Sequence, residues 1–251
     1  MPIDGTTDST RGRGVLEGAF GLLEAVERSG SAGLTALAAA SGLPKATAHR
    51  LLEQLVQLGA LERAGAAYRI GPRLFQLGQE WQPHPGLRGA AREPMRGLAT
   101  ATGASVGITV LAQGRALIAG AVAGDLDAVV PLRPGSSFSW TTAAGKVLVA
   151  GSTAAAPLHS APSGWARQAA AIRDRGVAID MEEVVPGVCC IAVPVRGSGG
   201  KTVAAVCALV EPTQRLRPMT DALSRTASHI SARLHPRHPA THVRSHRRAT
   251  G

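Results

Sequence analysis

The chain has 251 residues, 45% of them hydrophobic, enough to build two compact cores. No stretch approaches the roughly 20 unbroken apolar residues of a membrane helix, and the polar start MPIDGTTDSTRGRG has no apolar signal core, so a cytoplasmic protein with no membrane partner is expected. The three cysteines, Cys189, Cys190 and Cys207, make no disulfide framework and read as small buried hydrophobes. The net charge of +10 suggests a polyanionic partner, but it is distributed as zero over residues 1–83, +6 over 84–234 and +4 over 235–251. Nucleic-acid binding must therefore be argued from individual positions. An aromatic share of 3% excludes a stacking platform for single strands.

Residues 1–13 read as a mobile arm. From Val15 an apolar stripe of Leu16, Phe20, Leu23 and Val26 predicts a first helix, stopped by Gly30. A second helix is expected over 35–41 with Thr35 as N-cap, and a third from Lys45 to Gln57, entered through Pro44 and buried through Ala48, Leu51, Leu52 and Leu55. Only Gly42, Leu43 and Pro44 separate these two, the length of a helix-turn-helix. Extended runs at 61–63 and 68–70 form a hairpin, hence a wing. Helical text resumes at 72–102, broken by QPHPG at 82–86, where the domain boundary is placed. Beyond it, strands are expected at 106–111, 116–122, 129–132, near Val177 and Ile191, and at 203–209. Helices are expected from Ala143, at 165–175 and at 213–234. This is α+β text. The organisation is an arm (1–13), a winged helix-turn-helix (14–71), a linker helix (72–86), an effector-binding and oligomerisation domain (87–234) and a His/Arg-rich tail (235–251).

The polar face of the third helix carries Ala46, His49, Arg50 and Glu53, with Lys45 and Thr47 near its start. In a helix-turn-helix that end enters the major groove, placing Lys45, Thr47, His49 and Arg50 at bases and phosphates of double-stranded DNA. Arg63 and Arg69 on the hairpin are candidates for phosphate contacts. A solvated helix face is the bland alternative.

The segments LPKATAHRLLEQL, YRIGPRLFQLG, TTAAGKVLVA and IRDRGVAIDMEEVVPGVCCIAVPV resemble those of the isocitrate-lyase-regulator (IclR) family of bacterial transcription regulators, in the family's order over about residues 14–234. The resemblance implies a winged helix-turn-helix joined to a GAF-like α+β effector domain. It also implies homodimers or homotetramers on palindromic operators, more often repressing than activating, controlled by a small acidic or aromatic metabolite, with no cofactor and no enzymatic activity. The TTAAGK motif puts the backbone N–H groups of Ala143, Ala144 and Gly145 at a helix N-terminus, where a carboxylate can bind. Asp180 matches the family's acidic position and Cys190 a pocket-facing cysteine. Cys207 and Leu209 stand where some members carry serines, which points to a more apolar ligand. Two further departures are Ala46 in place of a hydroxyl residue and a shortened stretch between Gly151 and Trp165.

Other readings carry less. Gly145-Lys146 and Gly200-Lys201-Thr202 lack the glycine a phosphate-binding loop needs, since Trp140 and Val195 stand there. Cys189 and Cys190 face opposite sides of a strand and make no joint site. Tail histidines 235, 238, 242 and 246 have helical metal spacing, but prolines 236 and 239 oppose the helix, leaving a basic tail with nonspecific DNA affinity. An enzyme built on Cys190 and Asp180, or a ligand module without DNA binding, are the competing function classes.

Overall fold

The computed structural model describes residues 14–152, 161–213 and 215–234. The arm, the tail with its histidines and most of the shortened 151–165 stretch lie outside the described residues. The chain divides into two compact units, Met1–Trp81 and Gln82–Gly251.

The first unit runs α1 (Val15–Ser29), β1 (Ala32–Gly33), α2 (Leu34–Ser41), α3 (Lys45–Gln57), β2 (Leu61–Ala64), β3 (Ala67–Ile70) and α4 (Pro72–Gln79). Its core is fully buried at Leu22, Val26, Leu37, Leu52 and Leu61. Gly18 lets α1 lie close to α3, since a Cβ there would sit 3.2 Å from Leu51 Cδ1. Gly42 takes the left-handed conformation (φ 65°, ψ 26°) that ends α2, and the Leu43 N–H returns to the Ala38 carbonyl at 3.1 Å, fixing the turn into α3.

Three expectations change here. The first-helix stripe is rotated: Leu22, Ala25 and Val26 are buried, while Leu16 and Phe20 face solvent. Thr35 lies inside α2, whose cap is Gly33 with no side-chain bond, because the preceding backbone is already extended in β1. That two-residue strand pairs with β3 and completes a three-stranded antiparallel sheet in the order β1-β3-β2. It is too short to leave a periodicity in the sequence. The linker helix is also shorter than expected, ending at Gln79 rather than 86, where Pro83 and Pro85 prevent continuation.

The second unit runs α5 (Leu87–Thr102), β4 (Ser105–Ala112), β5 (Arg115–Val122), β6 (Ser137–Phe138), α6 (Ala143–Gly151), α7 (Trp165–Arg175), β7 (Ala178–Met181), β8 (Cys189–Arg196), β9 (Thr202–Val210) and α8 (Leu216–Leu234). The strands form one antiparallel sheet in the order β6-β5-β4-β9-β8-β7. Alternation along the strands sorts side chains between two faces. Ile108, Val110, Ile191, Val193 and Val206 pack under α5 and α8; Ala192, Ala205 and Cys207 pack under α6 and α7. The strand expected at 129–132 is absent: residues 126–129 form a turn, and Leu132 is buried from a loop. β6 was not legible, since it pairs through only Ser137 and Phe138.

Gly71 joins the wing to the end of α3. Its N–H bonds the Ala60 carbonyl at 2.8 Å, and an added Cβ would lie 2.4 Å from Gly59 O. Gly71→Ala, although its φ of −92° suits any residue, should therefore destabilise the first unit by about 1–3 kcal/mol through overpacking. Hydrogen exchange should show lost amide protection across α3, β2 and β3, with the second unit unaffected.

Candidate nucleic-acid interface and effector pocket

In the first unit, Pro44 sets the entrance to α3, and the four buried residues Ala48, Leu51, Leu52 and Leu55 fix the rotation of the helix. That rotation leaves Lys45, Ala46, His49 and Arg50 exposed and Thr47 half-buried on the outward side. Among the described residues, none of Lys45, His49 or Arg50 forms an ion pair with a carboxylate.

The wing arginines are placed differently. The Arg63 guanidinium donates to Glu53 of α3 and lies over the Tyr68 ring, 5.3 Å from its centroid. The Tyr68 hydroxyl also donates to Glu53, at 3.2 Å. Desolvation would raise the Glu53 pKa, but bonds from Arg63 and Tyr68 and the nearby Arg63 and His49 charges hold it below its usual value. Burial and the Glu53 bond push the Tyr68 phenol up. Arg69 pairs with Glu62 of β2, Nη2 to Oε2 at 2.8 Å. Both wing arginines are thus held by carboxylates of their own domain, and Arg63 ties the wing to the recognition helix. Glu53 was read from sequence only as part of a polar face; its partners are 10 and 15 residues away, beyond any local pattern. The Arg73 side chain, also missed, donates to the Leu58 carbonyl at the end of α3.

In the second unit a cavity of about 60 Å³ opens on the α6 side of the sheet. Thr109, Ala116, Ile118, Cys207 and Leu209 supply its sheet wall, and Val130, Leu132 and Phe138 close a second side. Val184, Val185 and Val188 cover it from the β7–β8 loop, and Thr142 and Ala144 enter from the start of α6. Gly107, opposite Cys207 in the ladder, leaves room for the Cys207 sulfur and for Leu132, which would lie 3.3 and 3.2 Å from an added Cβ. Of the expected effector residues, Ala144, Asp180, Cys190, Cys207 and Leu209 line this cavity; Ala143 and Gly145 do not. Ala143 is fully buried, and Gly145 is pressed against the Trp140 backbone, 2.5 Å from where its Cβ would be.

The start of α6 is capped from within. Thr142 accepts the Gly145 N–H on its side chain at 3.3 Å, and its carbonyl accepts the Lys146 N–H at 2.8 Å. The Ala144 backbone N–H lies near enough to the Cys190 thiol to act against the rise in its pKa. Cys190 meets Cys207 across the β8–β9 ladder; it lies opposite Leu209 while Cys207 lies opposite Ala192, so the thiols are diagonal neighbours on the pocket face. The bond to Cys207 and burial push the Cys190 thiol well up, and the Cys190 proton directed at Cys207 lowers the latter. Cys189 faces the opposite core, as strand alternation requires.

Asp180 is 2% exposed. One oxygen accepts the Glu183 N–H at 2.8 Å. Burial raises its pKa; the Glu183 charge adds to this, while that backbone bond and Lys146 oppose it. Lys146, with a side chain only 10% exposed, reaches Glu183 Oε2 at 2.7 Å. Its ammonium is therefore bound to the covering loop. No helix of the described residues is long and apolar enough to cross a membrane.

The IclR helix-turn-helix domain matches residues 15–65, and the C-terminal domain of bacterial IclR transcriptional regulators matches residues 83–232. The chain is 28% identical to the HTH-type transcriptional regulator BhcR of Paracoccus denitrificans, over 90% of this chain and 88% of that protein. It is 33% identical to the glycerol operon regulatory protein of Streptomyces coelicolor, over 69% of this chain and 75% of that one. Among solved structures, an IclR homologue from Microbacterium hydrocarbonoxydans complexed with 4-hydroxybenzoate superposes with a TM-score of 0.77 at 22% identity, covering 88% of this chain and 99% of the other. With a helix-turn-helix whose polar face is open and a GAF-like domain enclosing a pocket, the chain belongs to the IclR family of DNA-binding transcription regulators.

Proposed function

We propose that the chain is a ligand-controlled repressor that reads a palindromic operator through the exposed start of α3. The observation that carries this reading is the outward cluster of Lys45, Thr47, His49 and Arg50 on a helix whose opposite side is locked in the core. Lys45 and Arg50 supply phosphate and guanine contacts, and Thr47 and His49 supply shorter hydrogen bonds. Arg63 braces the wing through Glu53, and Arg69 can exchange Glu62 for a phosphate at the DNA surface.

A palindrome requires two copies, related by a two-fold axis. The first unit exposes apolar side chains that can serve this purpose: Leu16 and Phe20 on α1 are 75% and 63% exposed, and Phe75 and Leu77 on α4 are 68% and 63% exposed. We assign the homodimer contact to these residues, with any tetramer formed by pairing of dimers. Ligand in the second unit then shifts the spacing of the two reading helices by its difference in affinity between two states, typically about 1–3 kcal/mol. The segment 72–86 carries that coupling. An enzyme is the weaker reading: the groups beside Cys190 are Cys207, Asp180 and the Ala144 N–H, which raise its pKa overall rather than activate it as a nucleophile.

Arg50→Ala should weaken binding to a palindromic fragment from the protein's own promoter by about tenfold or more, as one lost base or phosphate contact does. Fluorescence anisotropy with competitor DNA checks this, and unchanged sequence-specific affinity would overturn the assignment of α3. Phe20→Glu should shift sedimentation toward monomer at micromolar protein, since it places a charge in the apolar contact. A variant that stays dimeric would move the interface elsewhere.

A further inference from the structure

A second concavity of the sensing domain lies at the far end of α6 from the effector cavity. It is a groove of about 240 Å³ between the end of α6 (Ala150, Gly151), α7, the end of β8 and the turn that leads into β9. Three cations meet there from three parts of the chain: Arg173 on α7, Arg196 at the end of β8 and Lys201 in the turn. Among the described residues no Asp or Glu lines the groove, and none of these cations forms an ion pair. Like charges gathered without a counter-charge repel one another, and an anion seated between them relieves that repulsion.

The fold holds the two guanidinium groups in place without neutralising them. Arg173 Nη1 donates to the Ala150 carbonyl at 3.2 Å, and Arg196 Nη1 donates to the Gly200 carbonyl at 3.0 Å. Each bond occupies one of the five N–H donors of a guanidinium and has a neutral acceptor. The first also sets a cation against the C-terminal carbonyls of α6, whose partial negative charge would otherwise oppose an anion. In the turn, Gly199 and Gly200 take φ of 71° and 75°, and a Cβ at either would meet nothing within 4 Å, so the backbone beside the cations is open to approach. A Cβ at Gly151 would collide with the Thr202 side chain, a measure of how closely the end of α6 packs on the start of β9. Val147, Ile172 and Pro194 supply an apolar lining beside the charges.

These features select a ligand class. Guanidinium forks bind phosphoryl oxygens through paired N–H bonds, and an ammonium adds a point charge. A phosphomonoester near neutral pH carries a charge of about −1.5 to −2 and three acceptor oxygens, which suits three converging cations better than a singly charged carboxylate does. The groove also exceeds the roughly 150 Å³ that admits benzene, so it has room for a phosphoryl group with a small organic body. We infer that this groove is a second ligand site that takes a phosphomonoester, its phosphoryl oxygens held by Arg173, Arg196 and Lys201 and its organic body lying on Val147, Ile172 and Pro194. The site shares no lining residue with the effector cavity.

The test is calorimetry of the full-length protein at neutral pH and low salt with phenyl phosphate, against benzenesulfonate, which presents the same ring and a single charge. Phenyl phosphate should bind saturably and at least about tenfold better than benzenesulfonate. Lys201→Glu, at an exposed side chain, should weaken phenyl phosphate by at least about tenfold. Arg196→Lys keeps the charge but loses the fork, and should weaken it by a smaller factor. Arg50→Ala should leave phenyl phosphate affinity unchanged, which separates the groove from phosphate contacts on α3. The amide resonances of Gly199 and Gly200 should shift along the same saturation curve. Absence of saturable binding, equal affinity for benzenesulfonate, or an affinity unaffected by Lys201→Glu would overturn the site. So would a loss in Arg50→Ala, which would put the phosphoryl group at the DNA-reading face. Binding of the promoter fragment is measured separately without phenyl phosphate; failure there counts against the regulator reading and not against the groove.

Discussion

Strand alternation in the β4-β9-β8 ladder is the constraint on which the sensing domain depends. One set of side chains, including Cys189, Ile191, Val206 and Ala208, goes to the core beneath α5 and α8. The other, including Cys190, Cys207 and Leu209, goes to the α6 side. A shift of one residue in the register would exchange the two sets and put core aliphatics into the pocket and pocket residues under the helices. The ladder is held on both sides: β9 lies between β4 and β8, and Gly107 makes room at the crossing for the Cys207 sulfur. The chemistry of the pocket is thus set by pairing in the middle of a sheet rather than by a mobile rim.

On this wall α6 is pinned in a way that trades ligand contacts for structure. Gly145 lets the helix start press on the Trp140 backbone, and Trp140 in turn meets Trp165 edge to face with ring centroids 5.0 Å apart. Two donors of this helix start, the Gly145 and Lys146 N–H groups, are satisfied on Thr142. Lys146 is drawn to Glu183 for the same reason: an ammonium with a side chain 90% buried needs a counter-charge, and the covering loop provides it. That pair, with the Glu183 N–H on Asp180, binds the loop to both the helix and the edge strand β7, so the pocket cover and its walls are one hydrogen-bonded assembly.

The helix-turn-helix was legible because its signals are local. Gly42, Pro44 and the leucines at helical spacing act within a few residues, and the turn and the buried face of α3 agree with them. The pattern failed on α1, where apolar residues cover more than one side; Leu16 and Phe20 share helical spacing with Val26, yet only the side bearing Leu22 meets α2 and α3. Spacing reveals that a face is apolar, not what covers it. In the second domain, the family resemblance placed Asp180, Cys190, Cys207 and Leu209, and all four line the cavity. It did not reveal the influence of the Ala144 N–H on a thiol 46 positions later. The same distance in sequence hid the Arg63–Glu53–Tyr68 cluster and the Lys146–Glu183 pair.

Those long-range pairs share a consequence for how the domains can respond. An exposed ion pair contributes little to stability, but it fixes an orientation. Arg63 and Glu53 set the wing against α3 while leaving both open to water. Lys146 is different, since its end of the pair is buried and the Asp180 carboxyl also lies within its electrostatic reach. The two ion pairs thus differ in kind: open to water at both ends in the first domain, buried at the lysine end in the second.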